Sequence, residues 1–292
     1  MYQLPELSDR TVVLSGSTSG IGRRAALSLT EAGARVIALA RNPDKADRLR
    51  HDCLEIRADA RIEVVLGDLM ELAGVKSVAD QVRERTDRID LLLNNAGALF
   101  TQHAITVDGF ERTWALNHLA YYQLTTELIS LVRAGSEPRV VNVASNAHRN
   151  AKMNWSDLQF EHTAIGQGWT TYCHSKLANI LFTKALSRRL EGTGVVTNCL
   201  HPGFVATGFN RNNGAMARLL MTLSRPLARS PKRGAETLLW AAASDEAGEL
   251  TGEYLADCKI RQPTRHGRSL EDAERLWQIT EEMTQTVGVW GA

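Results

Sequence analysis

Two side chains near the middle of the chain have the types and the spacing of a proton-transfer pair. Tyr172 and Lys176 are four residues apart in the segment Tyr-Cys-His-Ser-Lys. Residues at this spacing share one face of a helix, so the ammonium group can lie beside the phenol and favour its ionised form. Tyr172 is therefore predicted to act as an acid or base near neutral pH. A surface tyrosine and a solvated lysine often have the same spacing, so the pair carries weight only together with other motifs.

A glycine-rich loop lies near the amino terminus. It consists of Gly16, Ser17, Thr18, Ser19, Gly20, Ile21 and Gly22. The loop follows an apolar strand predicted at 11–15 and begins a helix predicted at 21–32. Glycines in this position allow a tight turn and a close approach of the backbone to a pyrophosphate, which then rests at the positive end of the helix. The strand–loop–helix context favours a dinucleotide site over a plain turn.

The residue that follows the second predicted strand indicates which dinucleotide binds. A site for NAD usually offers an Asp or Glu to the ribose about twenty residues after the glycine loop, but here the strand ends with Arg41. A guanidinium suits a 2′-phosphate by its charge and its fork geometry, and Arg23 or Arg24 could assist. NADP(H) is therefore the preferred cofactor, and NAD(H) stays possible.

Six apolar runs of strand length alternate with longer segments of helical periodicity. The runs cover 11–15, 35–40, 62–66, 89–94, 139–144 and 195–200. Runs this uniformly aliphatic indicate strands buried on both faces, hence a parallel sheet with helices on each side. We predict an α/β fold, a Rossmann-type doubly wound parallel sheet of about seven strands with helices on both faces. No linker rich in Pro, Gly or Ser divides the 292 residues, which indicates a single domain over 1–292.

Composition argues against several other classes of function. The net charge of +1 gives no electrostatic footprint for nucleic acid. The four cysteines include no Cys-x-x-Cys pair, which suits a reducing compartment, and the eight histidines show no His-x-x-x-His spacing, so no metal is expected. No stretch approaches the ~18 consecutive apolar residues of a membrane span, and the first ten residues carry no apolar run. We therefore expect a cytoplasmic protein.

Two long irregular regions follow predicted strands, at the sheet edge where ligands bind in open α/β folds. One spans 147–171. The other spans about 204–231 and contains an apolar cluster of Met216, Leu219, Leu220, Met221 and Leu223. Long segments in a compact fold are more often functional than connective, so the second region is predicted to be a substrate lid. Met and Leu at helical spacing are also common in cores, and that alternative stays open.

Five motifs resemble, in order, those of the short-chain dehydrogenase/reductase family, over nearly the whole chain. They are the glycine loop, Asn94-Asn95-Ala96-Gly97, Asn117, Ser145, and Tyr172 with Lys176. Three further segments look most like the retinol dehydrogenase branch of that family, namely Asn117-His118-Leu119, His201-Pro202-Gly203 and Asp257-Cys258-Lys259. The resemblance implies an NADP-dependent oxidoreductase that interconverts an alcohol and a carbonyl on a lipophilic small molecule.

The resemblance also implies a role for each motif residue. Tyr172 would exchange a proton with the substrate oxygen while nicotinamide C4 exchanges a hydride, and Ser145 would hold that oxygen. Lys176 would lower the pKa of Tyr172 and bind the nicotinamide ribose, and Asn117 would position a water. The other expected cofactor contacts are Asp68, Leu69, Asn95, Ala96, Gly97, Pro202, Gly203, Val205 and Thr207. Asp68 at a strand end could instead only satisfy backbone amides.

Two other functions stay open. The same hydride and the proton of Tyr172 could reduce the carbon–carbon double bond of an enone, or the chain could bind NADP as a sensor or scaffold without turnover. The expected partner is a small-molecule alcohol or carbonyl compound. By resemblance, we also expect a homodimer or homotetramer.

Overall fold

The computed structural model describes residues 2–160, 167–203, 229–288 and 290. Its centre is a sheet of eight strands in the order β3-β2-β1-β4-β5-β6-β7-β8. The strands are β1 (Thr11–Ser15), β2 (Arg35–Ala40), β3 (Ile62–Leu66), β4 (Leu91–Asn94), β5 (Arg139–Val143), β6 (Val196–His201), β7 (Tyr254–Ala256) and β8 (Lys259–Arg261). The first seven strands pair in parallel, and only β8 is antiparallel to its neighbour.

Helices alternate with the parallel strands, as the apolar pattern predicts. The α-helices are α1 (Gly20–Glu31), α2 (Pro43–Ile56), α3 (Leu72–Arg83), α4 (Arg112–Trp114), α5 (Ala120–Arg133), α6 (Gln167–Arg189), α7 (Pro231–Ala243), α8 (Asp245–Gly248) and α9 (Leu270–Thr284). A π-helical turn, Ala115–Leu119, joins α4 to α5, and short 3₁₀ helices cover Asn146–Asn150 and His266–Arg268.

The sheet separates two apolar cores. Buried residues of α1, α2 and α7 pack on one face, and those of α3, α5, α6 and α9 pack on the other. Strand side chains alternate between the two cores, so Val12 and Leu14 belong to one cluster and Val13 to the other. This burial on both faces explains why the strands read as continuous aliphatic runs.

The strand order reverses between β1 and β4, whose next strands lie on opposite sides of that pair. In a doubly wound sheet this switch point opens a crevice at the carboxyl ends of the strands, where ligands bind. The glycine loop follows β1, and the Asn95–Gly97 segment follows β4, so both enter the crevice. The predicted Rossmann-type doubly wound fold is confirmed.

The eighth strand and a few strand ends differ from the sequence prediction. Neither β7 nor β8 is among the six predicted runs, because each strand has only three residues. The residues of β8 are also exposed and carry no apolar pattern. Strand β4 begins at Leu91 instead of 89. Asp90, just before it, is buried, and its carboxylate accepts hydrogen bonds from the backbone of Thr11 and Ser136.

Candidate active site

The glycine loop is fixed by close packing against the segment that follows β4. Gly16 and Gly20 have φ values of +66° and +52°, a conformation that glycine adopts without strain. A Cβ atom at Gly16 would lie 2.8 Å from the Cα of Ala96, and one at Gly22 would overlap the carbonyl oxygen of Gly16. The side-chain amide of Asn95 donates a hydrogen bond to the backbone carbonyl of Ser15 at 2.9 Å. The loop backbone is therefore held at the wall of the crevice.

A cavity of about 880 Å³ runs along the carboxyl ends of the strands. It is lined by most of the residues that the sequence analysis singled out: Gly16, Thr18, Ser19, Gly20, Ile21, Gly22, Arg41, Asp68, Leu69, Asn95, Ala96, Gly97, Ser145, Tyr172, Lys176, Pro202 and Gly203. Val205 and Thr207 lie outside the described residues, as does the proposed lid over 204–228. The last two residues of the predicted lid belong to a helix start instead, because Ser230 caps α7 and Pro231 begins it.

Ser17 and Asn117 are close to the cavity but do not line it. The hydroxyl of Ser17 is buried and donates to the carbonyl of Leu39 at 3.1 Å, which ties the loop to β2. Asn117 lies in the π-helical turn, a distortion that often marks functional sites. Its side chain accepts from the backbone N–H of Ala98 and donates to the Ala98 carbonyl, both at 2.9 Å, and donates to Ser175 at 3.0 Å.

Two cationic side chains line the cavity near the end of β2. Arg41 is exposed, and its guanidinium lies 3.5 Å from the carboxylate of Asp68. Lys45 lines the same end of the cavity from the first turn of α2. The side chain of Asn42 caps this helix and accepts a hydrogen bond from the backbone N–H of Lys45. Arg23, considered from the sequence as a helper, instead bonds to Asp52. Lys45 was missed because only the folded structure shows that its side chain lines the cavity.

The sequence left open whether Asp68 contacts the cofactor or only satisfies backbone amides. Asp68 lines the cavity, and one of its carboxylate oxygens also accepts from the backbone N–H of Met70 at 3.0 Å. The backbone contact therefore does not withdraw the side chain from the crevice.

Ser145 and Tyr172 meet at the middle of the cavity. Ser145 follows β5, and its hydroxyl oxygen accepts from the backbone N–H of Ala147 at 3.2 Å, which leaves the hydroxyl proton for donation. Tyr172 is buried in α6. Burial raises the pKa of Tyr172 to about 12, and a side-chain hydrogen bond with Ser145 opposes that rise.

Lys176 lies one helical turn after Tyr172 but bonds elsewhere. Its ammonium donates to the carbonyl of Val143 at 2.8 Å, and Nζ is 5.8 Å from the centre of the Tyr172 ring. Burial lowers the pKa of Lys176 to about 7. The lowered Tyr172 pKa expected from the Tyr–Lys spacing is therefore not what the structure gives, because loss of hydration opposes both charges.

Gly97 allows the side chains of Asn117 and Lys176 to lie close to the segment that follows β4. A Cβ atom there would lie 3.1 Å from Oδ1 of Asn117 and 3.4 Å from Nζ of Lys176. A hydrogen atom in place of a side chain therefore keeps Asn117 and Lys176 next to the segment that follows β4.

Part of the cavity lining is an apolar wall made of Leu99, Phe100, Leu116, Ala147 and Trp169. The polar residues Asn146 and Asn150 line the cavity as well. The indole of Trp169 is 50% exposed, and its ring centre is 5.7 Å from that of Tyr172. A Cβ atom at Gly168 would overlap the carbonyl oxygen of Phe100, so α6 begins in direct contact with this segment. Trp169 was missed because one aromatic residue before a tyrosine gives no signal in the sequence.

The described residues hold neither a metal site nor a membrane-spanning helix. In ranges 2–160, 167–203 and 229–288, no three His, Cys, Asp or Glu side chains are grouped to bind a metal ion. Within the same part of the chain, no helix is both long and apolar enough to cross a membrane.

Comparison with known proteins decides the family. A model of the family described as short chain dehydrogenase matches residues 10–157 and 162–218. This chain belongs to the short chain dehydrogenase family. The resemblance found in the sequence motifs is thereby confirmed, and membership supports an oxidoreductase of the alcohol/carbonyl class with a nicotinamide cofactor.

This short-chain dehydrogenase is similar to retinol dehydrogenases along almost its whole length. It is 36% identical to human retinol dehydrogenase 12 over 281 residues, which cover 95% of this chain and 87% of the relative. Among solved structures, an uncharacterized protein from Mycobacterium paratuberculosis matches with a TM-score of 0.79 and 30% identity, covering 97% of this chain and 96% of that one.

A further solved structure similar to this dehydrogenase is described as a complex of RhlG from Pseudomonas aeruginosa with NADP. It has a TM-score of 0.68 and 25% identity, and it covers 87% of this chain and 97% of that chain.

Proposed function

We propose that the chain is an NADP-dependent oxidoreductase that interconverts an alcohol and a carbonyl group on a lipophilic small molecule, with Tyr172 as acid/base. The observation that carries the proposal is the convergence of Ser145, Tyr172 and Lys176 on one cavity whose far end is built by the glycine loop. A dinucleotide and a small substrate need such a continuous crevice.

The residues at the glycine-loop end fit a dinucleotide. The loop lines the cavity at the start of α1, and side chains at Gly16 or Gly22 would collide with neighbouring backbone, so the tight turn there requires glycine. Backbone N–H groups at a helix start attract a pyrophosphate. When bound, NADPH supplies the hydride to a carbonyl carbon, and NADP⁺ accepts one from an alcohol.

The cationic groups near β2 support a preference for NADP over NAD. Arg41 and Lys45 line the same end of the cavity, and α2 begins beside them. A 2′-phosphate would gain charge-assisted hydrogen bonds there, and the positive end of α2 favours the same charge. The relative solved as an NADP complex is consistent with this choice.

The polar groups at the centre support proton transfer at the substrate oxygen. A phenol with a pKa raised to about 12 is protonated at neutral pH, which is the form that donates to a developing alkoxide during reduction. Ser145 would donate a second hydrogen bond to the same oxygen as negative charge builds there. In the oxidative direction, the ammonium of Lys176 would favour the phenolate that removes the proton from the alcohol.

The apolar wall supports a lipophilic substrate. Trp169 is 50% exposed with its ring centre 5.7 Å from that of Tyr172, and Leu99 and Phe100 line the same cavity. Burial of apolar substrate surface here would contribute about 25 cal/mol per Å². Relatives named retinol dehydrogenases make retinoids one class to be tested. Cytoplasmic localisation and a homo-oligomeric state stay predictions.

A screen of NADPH oxidation against aldehydes, ketones, steroids, quinones and retinoids tests the proposal, with product analysis to separate carbonyl from double-bond reduction. We expect turnover of lipophilic carbonyl compounds. Trp169→Ala should raise the KM for these compounds more than the KM for a short hydrophilic aldehyde, which serves as the internal control. Tight NADPH binding without turnover of any carbonyl compound would contradict the proposal that the chain is an enzyme and would favour a sensor. Reduction of enones at the carbon–carbon double bond would contradict the proposed interconversion of alcohol and carbonyl.

A further inference from the structure

A single peptide unit next to Ser145 is held at both of its polar ends by imidazole rings. The Ser145 carbonyl and the Asn146 N–H belong to the same peptide bond. The carbonyl lies 2.7 Å from Nδ1 of His148, and the N–H donates to Nδ1 of His201 at 3.1 Å. The Ser145 carbonyl also accepts from the backbone N–H of His148, at a longer 3.2 Å.

The partners of His148 fix its tautomer. A carbonyl oxygen only accepts, so Nδ1 of His148 must carry the proton. On the other side of the ring, Nε2 lies 3.3 Å from the backbone N–H of Thr264, which only donates. The neutral ring with its proton on Nδ1 therefore satisfies both contacts, and it connects Ser145 to the segment after β8.

The surroundings of His148 allow little movement of the ring. The side chain is fully buried, and its edge packs on the ring of Tyr254 with the two centres 5.0 Å apart. His148 is not among the residues that line the cavity, so it has no direct contact with a ligand there. Its nearest connection to the cavity is the 145–146 peptide unit, and Ser145 and Asn146 both line that cavity.

Orientation of this peptide unit decides where the Ser145 hydroxyl points. The unit defines the ψ angle of Ser145, which is 156°, and it leads directly to Ala147, whose N–H binds the hydroxyl oxygen. A turned peptide would move that N–H and release the hydroxyl. Small displacements of a catalytic group are costly, because about 1 Å can lower a rate by 10²-fold.

We propose that His148 is a positioning residue that locks the 145–146 peptide unit and thereby aims the Ser145 hydroxyl at the reacting oxygen, with His201 holding the other end of the unit. The inference rests on the proposed function, because it assigns Ser145 the role of donor to that oxygen.

Two substitutions of His148 distinguish the hydrogen bond donated by Nδ1 from the volume that the side chain fills. In His148→Asn, the side-chain amide nitrogen can occupy the place of Nδ1 and donate to the Ser145 carbonyl. In His148→Gln, the amide extends to the place of Nε2, so the donor near Ser145 is lost. We expect the Asn variant to keep kcat within about threefold of the wild type and the Gln variant to lose between about 10- and 100-fold, with the Kd for NADPH unchanged in both.

A double-mutant cycle with Ser145→Ala shows whether the effect passes through Ser145. If it does, His148→Gln lowers kcat in the wild-type background but causes no further loss once the hydroxyl is absent. Equal losses in both backgrounds, or equal kcat values for the Asn and Gln variants, would overturn the inference. If the Gln variant does not fold, the same cycle is run with His201→Leu against His201→Asn, which retains an acceptor in the place of Nδ1.

The cycle also distinguishes the inference from the proposed function. Full activity of Ser145→Ala would contradict the proposed function itself. An impaired Ser145→Ala combined with additive effects of His148→Gln would remove only the positioning role of His148.

Discussion

The ammonium of Lys176 is bonded at 2.8 Å to the carbonyl oxygen of Val143, at the carboxyl end of β5. The helical spacing brings Lys176 and Tyr172 to the same face of α6. The ammonium nevertheless donates its hydrogen bond to a backbone carbonyl of β5 and not to the phenol of Tyr172. Burial lowers the pKa of Lys176 to about 7 and raises that of Tyr172 to about 12. Under the proposed function, alcohol oxidation would therefore require the charged form of Lys176 beside the phenol.

Removal of the Lys176 charge should impair the reaction and change its pH dependence. We expect Lys176→Met to lower kcat by about 10²- to 10⁴-fold near neutral pH. Since the phenolate loses its cationic neighbour, the pH at which alcohol oxidation reaches half of its maximum should rise. Steady-state kinetics of oxidation across a pH series measure both effects. An unchanged pH profile in the variant would contradict the role of Lys176.

Charge reversal at the end of β2 should change the cofactor preference. Loss of a hydrogen bond to a charged group costs about 1.5–3 kcal/mol, so Arg41→Asp should weaken NADPH binding by about 10- to 100-fold while NADH binding is retained. Lys45→Gln should act in the same direction. Arg23→Gln is the matched control, because the Arg23 guanidinium is engaged by Asp52. Titration of each variant with both cofactors measures the change, and an unaltered preference in Arg41→Asp would contradict the assignment.

The glycine loop should not tolerate a methyl group at its tightest point. A Cβ atom at Gly22 would overlap the Gly16 carbonyl, so Gly22→Ala must displace the loop and should lower both the Tm and the affinity for NADPH. Gly109→Ala is the control, because φ at Gly109 is +82° but a Cβ there would meet no described atom within 4 Å. That variant should lose about 1–2 kcal/mol of stability, because alanine is strained at a positive φ, and keep its NADPH affinity. Equal NADPH affinities in the two variants would show that the loop does not bind the cofactor.

Acid should destabilise the fold through a buried neutral histidine. His118 is fully buried, with Nε2 2.9 Å from the hydroxyl of Thr280, and burial lowers its pKa from 6.5 to about 3. Between these values the unfolded chain binds a proton that the folded chain does not, so stability falls as the pH drops through the window. Through His118, the free energy of unfolding changes by at most about 1.4 kcal/mol per pH unit.

Urea unfolding of the wild type and of His118→Gln, at about pH 7 and about pH 5, measures this contribution. His201, whose pKa is lowered to about 4 by burial, adds a slope of the same sign in both proteins. The difference between the proteins therefore isolates His118. Parallel pH dependences in the two would exclude a contribution from His118.

Local patterns in the sequence were sufficient for the fold and for the glycine-loop end of the cavity, whereas Asp68, Ser145 and Pro202 were expected only from the family resemblance. Aliphatic runs indicate strands that are buried on both faces, and a glycine loop between β1 and α1 indicates the dinucleotide end. The pattern failed where the signal was short, as in the exposed strand β8.

Contacts between distant parts of the chain could not be read from the sequence. The bond between Lys176 and Val143 depends on how α6 crosses the sheet, and the bond between His148 and Thr264 joins residues 116 positions apart. Burial, which sets the pKa directions of Tyr172 and Lys176, is also a property of the packed fold. The Tyr–Lys spacing therefore gave the correct neighbourhood but the wrong direction for the Tyr172 pKa.

The most direct test of the central claim is the carbonyl-reductase activity of Tyr172→Phe, measured with the Kd for NADPH in the same preparation. The substitution removes only the phenolic oxygen, so the ring that packs beside Trp169 is kept. We predict that kcat falls by about 10²- to 10⁴-fold while the Kd for NADPH stays within about twofold, since Tyr172 acts on the proton and not on dinucleotide affinity. A Tyr172→Phe protein that reduces the same carbonyl compound at the wild-type rate would contradict the account.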